Sequence, residues 1–168
     1  PVSLSMNPYS GPWTKTEAAH LLKRTLFGPT NQQILDAVSN GMNATVSVLL
    51  QTPVIDQPLA YDPAETIVPM GSTWVTAVYP ANATQAQLVE NARIKSLGAW
   101  MLKRLNTEQT TISEKICLFW HNHFGATAGN DSRGTYNYLM TIRQHSLGNV
   151  KQLVKDITID PNMLLFLI

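Results

Sequence analysis

Residues 111–124 read TISEKICLFWHNHF, and this stretch decides the fold. Thr111 to Glu114 has the Thr-x-x-Glu spacing of a capping box, which predicts a helix opening there. Gly125 follows as the natural left-handed stop, so the helix is expected to run through Phe124. At 100° per residue, Ile112, Ile116, Phe119, Trp120 and His123 share one face. Cys117, Leu118, His121 and Phe124 lie on the other side. A helix that is apolar nearly all round is expected at the centre of a helical domain.

Working outward, the same punctuation recurs. Thr14 to Glu17 and Thr30 to Gln33 are two further capping boxes. The first opens a stripe of Ala18, Leu21, Leu22, Thr25 and Leu26 that stops at Gly28-Pro29. The second opens a short helix through Ile34, Leu35 and Val38, closed by Gly41. A third short helix is predicted over 43–51. The clearest periodicity lies in 85–106, where Ile94, Leu97, Gly98, Met101, Leu102 and Leu105 fall on one face. Gly98 inside that face predicts the close approach of another helix. Helices are also predicted over 133–147 and from Val150, with Asn149 as cap. Asp160-Pro161 is a cap followed by proline at the first helical position.

Between 53 and 84 the pattern fails. Pro53, Pro58, Pro63, Pro69 and Pro80 interrupt it, and only residues 73–79 have the composition of a short strand or hairpin arm. A loop of this length inside a compact domain is either functional or docked on the surface. The fold class expected is therefore all-α, an irregular bundle of about six to seven helices. It carries one long Pro-rich loop over 53–84 and at most a minor β-hairpin.

Composition narrows the function classes. A chain of 168 residues suits a single domain over 1–168. Hydrophobic residues make up 44% and charged residues 14%, which excludes disorder. Twelve basic against eleven acidic residues leave a net charge of +1, with no basic stripe. Nucleic acid is therefore not an expected partner. No apolar run approaches the ~20 residues needed to span a bilayer. Cys117 is alone and forms no intramolecular disulfide. Residues 163–168, MLLFLI, are six apolar residues without a polar terminus. They predict that the rest of a longer polypeptide, or a partner chain, packs on Met163–Ile168.

Several polar residues fall where apolar ones are expected. His121 and His123 are about 200° apart on a helix and cannot chelate one ion together. They converge only if the helix ends before His121, because alternate residues share a face only in extended chain. Cys117 and His121, at i and i+4, are the better helical pair for a divalent metal, although two ligands are few. The plain reading of His123 is a neutral core histidine bonded to a neighbouring helix. The letters His-Asn-His do not make the nuclease motif, which spreads those residues over a ββα-metal unit. Arg143 interrupts the stripe of Tyr136, Leu139, Met140 and Leu147 and needs a partner if buried. Asp160, Asp131 and Glu114 are the candidates, and a structural ion pair is favoured over anion binding. Its stem could also snorkel to water. His20 and Arg24 sit at the edge of the first stripe, His145 reads as surface, and residues 126–130 form a small flexible connector beside the histidines.

These marks resemble a known bacterial family, domain of unknown function 1800. The resemblance rests on Trp13, on Ala18-Ala19-His20-Leu21-Leu22-Lys23-Arg24 with Phe27-Gly28, and on Glu114-Lys115 with Phe119-Trp120-His121-Asn122-His123-Phe124. It continues through Arg143, His145, Leu147-Gly148-Asn149 and Asp160-Pro161 to Met163-Leu164. Members of that family are longer and often exported, so it implies an N-terminal part of a larger exported protein (periplasmic, cell-surface or extracellular). The family's marks fall on Arg24, Trp120, His121, Asn122, His123, Arg143, Asn149 and Asp160, but it carries no assigned activity. Three functions follow as expectations. The first is a secreted structural or binding module. The second is a metal-dependent or hydrolase-like enzyme built on His121, His123, Arg143 and Asp160, completed by residues beyond 168. The third is a secretion or surface-assembly component that docks through Met163–Ile168.

Overall fold

The computed structural model of the chain describes residues 8–106, 109–126 and 131–168. They form eight helices and no strand. These are α1 (Lys15–Thr25), α2 (Asn31–Asn40), α3 (Met42–Leu49), α4 (Ala83–Asn106), α5 (Ser113–Phe124), α6 (Ser132–His145), α7 (Val150–Thr158) and α8 (Pro161–Phe166). The all-α class is as expected, with eight helices where about six to seven were expected, and Asp160-Pro161 opens α8 as its cap and proline indicate. The caps at Thr14 and Thr30 form reciprocally. Asp131, Asn149 and Asp160 cap α6, α7 and α8 through their side chains.

Two apolar clusters result. Ala18, Leu22, Leu26, Ile34, Ala37 and Leu49 join α1, α2 and α3. The larger cluster gathers Trp74, Leu97, Trp100, Cys117, Tyr138, Leu139, Ile142, Leu153 and Ile157. Polar bonds connect the two. The Ile112 amide donates to the Leu49 carbonyl at 2.9 Å, and Lys115 Nζ donates to the Leu26 carbonyl at 2.9 Å.

The hub is α6, which packs on α4, α5, α7 and α8. The central role expected of α5 is therefore corrected, since this helix is buried on one face only. Its inward residues include Ser113, Glu114 and Cys117, while Phe119 is 58% exposed and His123 is exposed. The capping box predicted at Thr111–Glu114 does not form, because Glu114 turns inward to a guanidinium and Ile112 occupies the cap position.

The long loop over 53–82 is docked rather than free. It has a single isolated antiparallel bridge, Leu59 to Thr73, where a hairpin arm was expected. Its prolines carry no amide donor, so beyond the bonds within the loop α4 supplies donors to some of its carbonyls. Trp100 Nε1 donates to Asp56 O at 2.9 Å, and Ser96 Oγ to Leu59 O at 2.7 Å. Trp74, fully buried, donates its indole to Ser96 Oγ at 2.8 Å. The buried face of α4 is thus Val89, Glu90, Ala92, Arg93, Ser96, Leu97 and Trp100. Leu102, placed on the core face by periodicity, is 63% exposed. Gly98 is exposed and would meet nothing within 4 Å as alanine, so no helix among the described residues packs against it.

Candidate functional site

Glu114 and Arg143 meet between α5 and α6. Arg143 donates from Nε to Glu114 Oε1 at 3.1 Å and from Nη2 to Oε2 at 2.9 Å, the fork geometry that suits a carboxylate. Arg104 reaches the same carboxylate from α4, with Nη2 at 3.2 Å and Nε at 3.3 Å. Of the three partners foreseen for Arg143, Glu114 is the one observed. Asp131 and Asp160 instead accept backbone amides at helix starts, Asp160 from Asn162 N at 2.9 Å. The Arg143 guanidinium also lies 4.7 Å from the Trp100 ring centre. Burial would raise the Glu114 pKa, but the two guanidiniums outweigh it and hold the carboxyl below its ordinary 4.5.

Cys117 and His121 sit one turn apart beside this ion pair. They line, with Met101, Leu105, Leu118 and Leu139, a cavity of about 40 Å³. Burial pushes the Cys117 thiol up to about 11. A protonated thiol is a weak nucleophile and a weak metal ligand. Burial, helped by Arg143, lowers the His121 pKa, so its ring is neutral near pH 7. His121 Nδ1 is buried and makes no hydrogen bond with a described residue. Its ring meets Tyr138 edge-on, with centroids 5.8 Å apart. Burial and then Asp160 push the Tyr138 hydroxyl up to about 12.

His123 is not a core residue. Helix α5 runs through Phe124, as the Gly125 stop at φ 66° requires, and the two histidines face opposite ways. His123 stacks outside on Phe119 at 6.3 Å, next to Trp120 and Phe124. His121, Cys117 and Arg143 are therefore brought together, His123 is not, and Asp160 serves as a cap. No group of three or more His, Cys, Asp or Glu able to hold a metal ion occurs among the described residues. His145, expected at the surface, bonds Asp156 Oδ2 through Nε2 at 2.7 Å. His20 and Arg24 lie exposed on α1. Of the connector over 126–130, residues 127–130 lie outside the described residues.

A second buried polar cluster escaped the sequence reading. Arg93 is 0% exposed and pairs with Glu65 of the long loop at 2.6 Å, while its other nitrogens reach the carbonyls of Ala77 and Val78. Glu90 accepts from the Tyr79 hydroxyl and from the Ser132 amide at 2.5 Å. The Tyr79 ring lies between the guanidiniums of Arg93 and Arg133, at 4.5 and 4.6 Å. The one available signal was the spacing Glu90, Arg93, Leu97, Trp100, which is helical only when polar residues are counted as candidates for burial.

Together these features define an all-α module with two paired polar clusters inside it. Residues 20–167 match the family described as "Protein of unknown function (DUF1800)", and the chain belongs to that family. No curated protein and no solved structure matches it. Among the described residues no helix is long and apolar enough to cross a membrane.

Proposed function

We propose that the chain is an exported helical binding module. Its buried polar residues lock helices together, and its exposed apolar surface within Met163–Ile168 packs against the rest of a longer polypeptide or a partner chain. The observation that carries this reading is α8 and its continuation, where Leu164, Leu165, Phe166, Leu167 and Ile168 are all exposed. Contiguous exposed apolar side chains of this size mark interaction surfaces. The inner cluster supports the same reading. Glu114 is held by two guanidiniums, and the 40 Å³ beside it fits a water rather than a substrate, since ligand pockets run from about 300 Å³ upward. Export rests on family membership, whose members often carry an export signal.

A photo-crosslinking residue at Leu165, in the bacterium that makes the protein, tests the docking surface. The reading expects a polypeptide crosslink that disappears when Leu167 is also replaced by Asp, and none from the same probe at exposed Lys151. Crosslinks to lipid alone, or none at all, would remove its support. Detection in the cytosolic fraction would separately remove the exported part.

The orphaned Nδ1 of His121 favours a second reading, a metal-dependent or hydrolase-like enzyme with a site around His121 and Arg143, completed by residues beyond 168. That reading requires zinc binding, or substrate turnover, that is lost in His121→Ala. Calorimetry with zinc alone, and no heat above dilution, argues for the binding module.

A further inference from the structure

The N-terminal helices hold a feature that neither reading uses. An open groove of about 740 Å³ runs along α1 and α3, within the range of small-molecule sites. Trp13, Leu21, Met42 and Val46 give it apolar walls. The wall at Trp13 is fixed in advance, because its indole donates to the Ala37 carbonyl at 2.9 Å.

Polar groups are unevenly placed around it. Glu17 lines the groove near the start of α1, but its carboxylate is engaged by Thr14 in the capping box. His20 and Arg24, one turn apart on α1, line it further along the helix. Both are exposed, and no hydrogen bond or ion pair joins either side chain to another described residue. From Lys15 at the start of α1 to Arg24 is nine helical steps, roughly 14 Å at 1.5 Å rise each, comparable with an extended dodecyl chain.

We propose that this groove binds a single long-chain alkyl carboxylate. The alkyl chain lies on Trp13, Leu21, Met42 and Val46, and the carboxylate is held between His20 and Arg24. A guanidinium fork matches a carboxylate in shape and charge. A peptide would bring backbone amides against walls that are mostly apolar, with Tyr9 and Thr16 as the few further polar side chains. One guanidinium and one imidazole are too few for an anionic membrane surface, which is read by clusters of four to eight basic side chains. This site lies on different helices from the α8 docking surface and stands or falls separately.

Titration calorimetry of the full chain with dodecanoate, below its micellar concentration, tests the proposal. Dodecanol and dodecyltrimethylammonium are the comparators. One dodecanoate is expected per chain, preferred over dodecyltrimethylammonium. Arg24→Gln should weaken dodecanoate about tenfold while leaving dodecanol unchanged, the loss expected of one charge-assisted hydrogen bond. Arg24→Lys should recover part of it. Val46→Trp, at a position already 38% exposed, should fill the groove and abolish both. Circular dichroism confirms that each variant is folded. The proposal is overturned by absent dodecanoate binding, by equal affinity for the cationic amphiphile, or by full affinity in Arg24→Gln or Val46→Trp. A dimer that buries the groove and dissociates in Val46→Trp would also overturn it, with a second copy as the occupant.

Discussion

Replacing Arg143 by Met takes away the guanidinium that makes two of the four contacts to the Glu114 carboxylate. The side chain of Glu114 is 1% exposed, so water cannot take over. Breaking a buried pair by removing one partner typically costs about 3–5 kcal/mol. Arg104 stays within 3.3 Å and is itself 11% exposed, which places Arg143→Met near the low end, about 3 kcal/mol. With a urea m-value of roughly 2 kcal/mol/M, the unfolding midpoint should fall by about 1.5 M at pH 7. Arg143→Met combined with Glu114→Leu removes the stranded charge and should recover most of the loss, as apolar replacements of buried pairs do. The pH dependence has a definite sign. Glu114 has a folded pKa below its ordinary 4.5, so its contribution is present above that value and is lost as pH falls through the folded pKa. In Arg143→Met burial dominates and raises that pKa, so the variant's deficit should be smaller at pH 4 than at pH 7. A single variant as stable as the parent at pH 7, or a double variant no more stable than the single, would refute the anchor reasoning.

Three further outcomes follow from the same packing. Arg93→Met strands Glu65 and the carbonyls of Ala77 and Val78; it should cost about 3 kcal/mol and open the loop over 53–82 to limited proteolysis, measured as a cleavage rate. Cys117, with its thiol pushed up to about 11, should be inert to iodoacetamide at pH 8 in the folded protein and react at the rate of unfolding. Gly98→Ala should stabilise the exposed face of α4 by about 0.5–1 kcal/mol, whereas Gly125→Ala, at φ 66°, should destabilise by about 1 kcal/mol, both read from thermal or urea unfolding.

How much of this was legible depended on the kind of signal. Caps are local, so Thr14, Thr30, Asn149 and Asp160 placed four helix starts correctly. The αL stop at Gly125 likewise separated His121 from His123. Which face of α5 turns inward was not local. The face with Phe119 and Trp120 has the larger apolar area, yet the opposite face is buried because Glu114 lies on it and pairs with Arg143 from a helix further along the chain. Glu114 could satisfy a capping box or a buried guanidinium but not both, and the guanidinium, with no water to turn to, decides. The same holds for α4, whose core face is defined by loop carbonyls and Trp74 rather than by its own leucines. Periodicity of apolar residues cannot report a surface whose partner is a polar, proline-interrupted loop.

The central claim is that the residues gathered around His121 hold helices together while the working surface lies elsewhere. It is tested most directly by crystallography of the protein purified from its native source, with anomalous data collected above the zinc edge. The account predicts Glu114 between Arg143 and Arg104, no ion within about 2.3 Å of His121 or His123, and polypeptide covering Leu164 to Ile168. An anomalous peak bonded to His121 Nδ1 would contradict it and make the inner cluster a reaction centre.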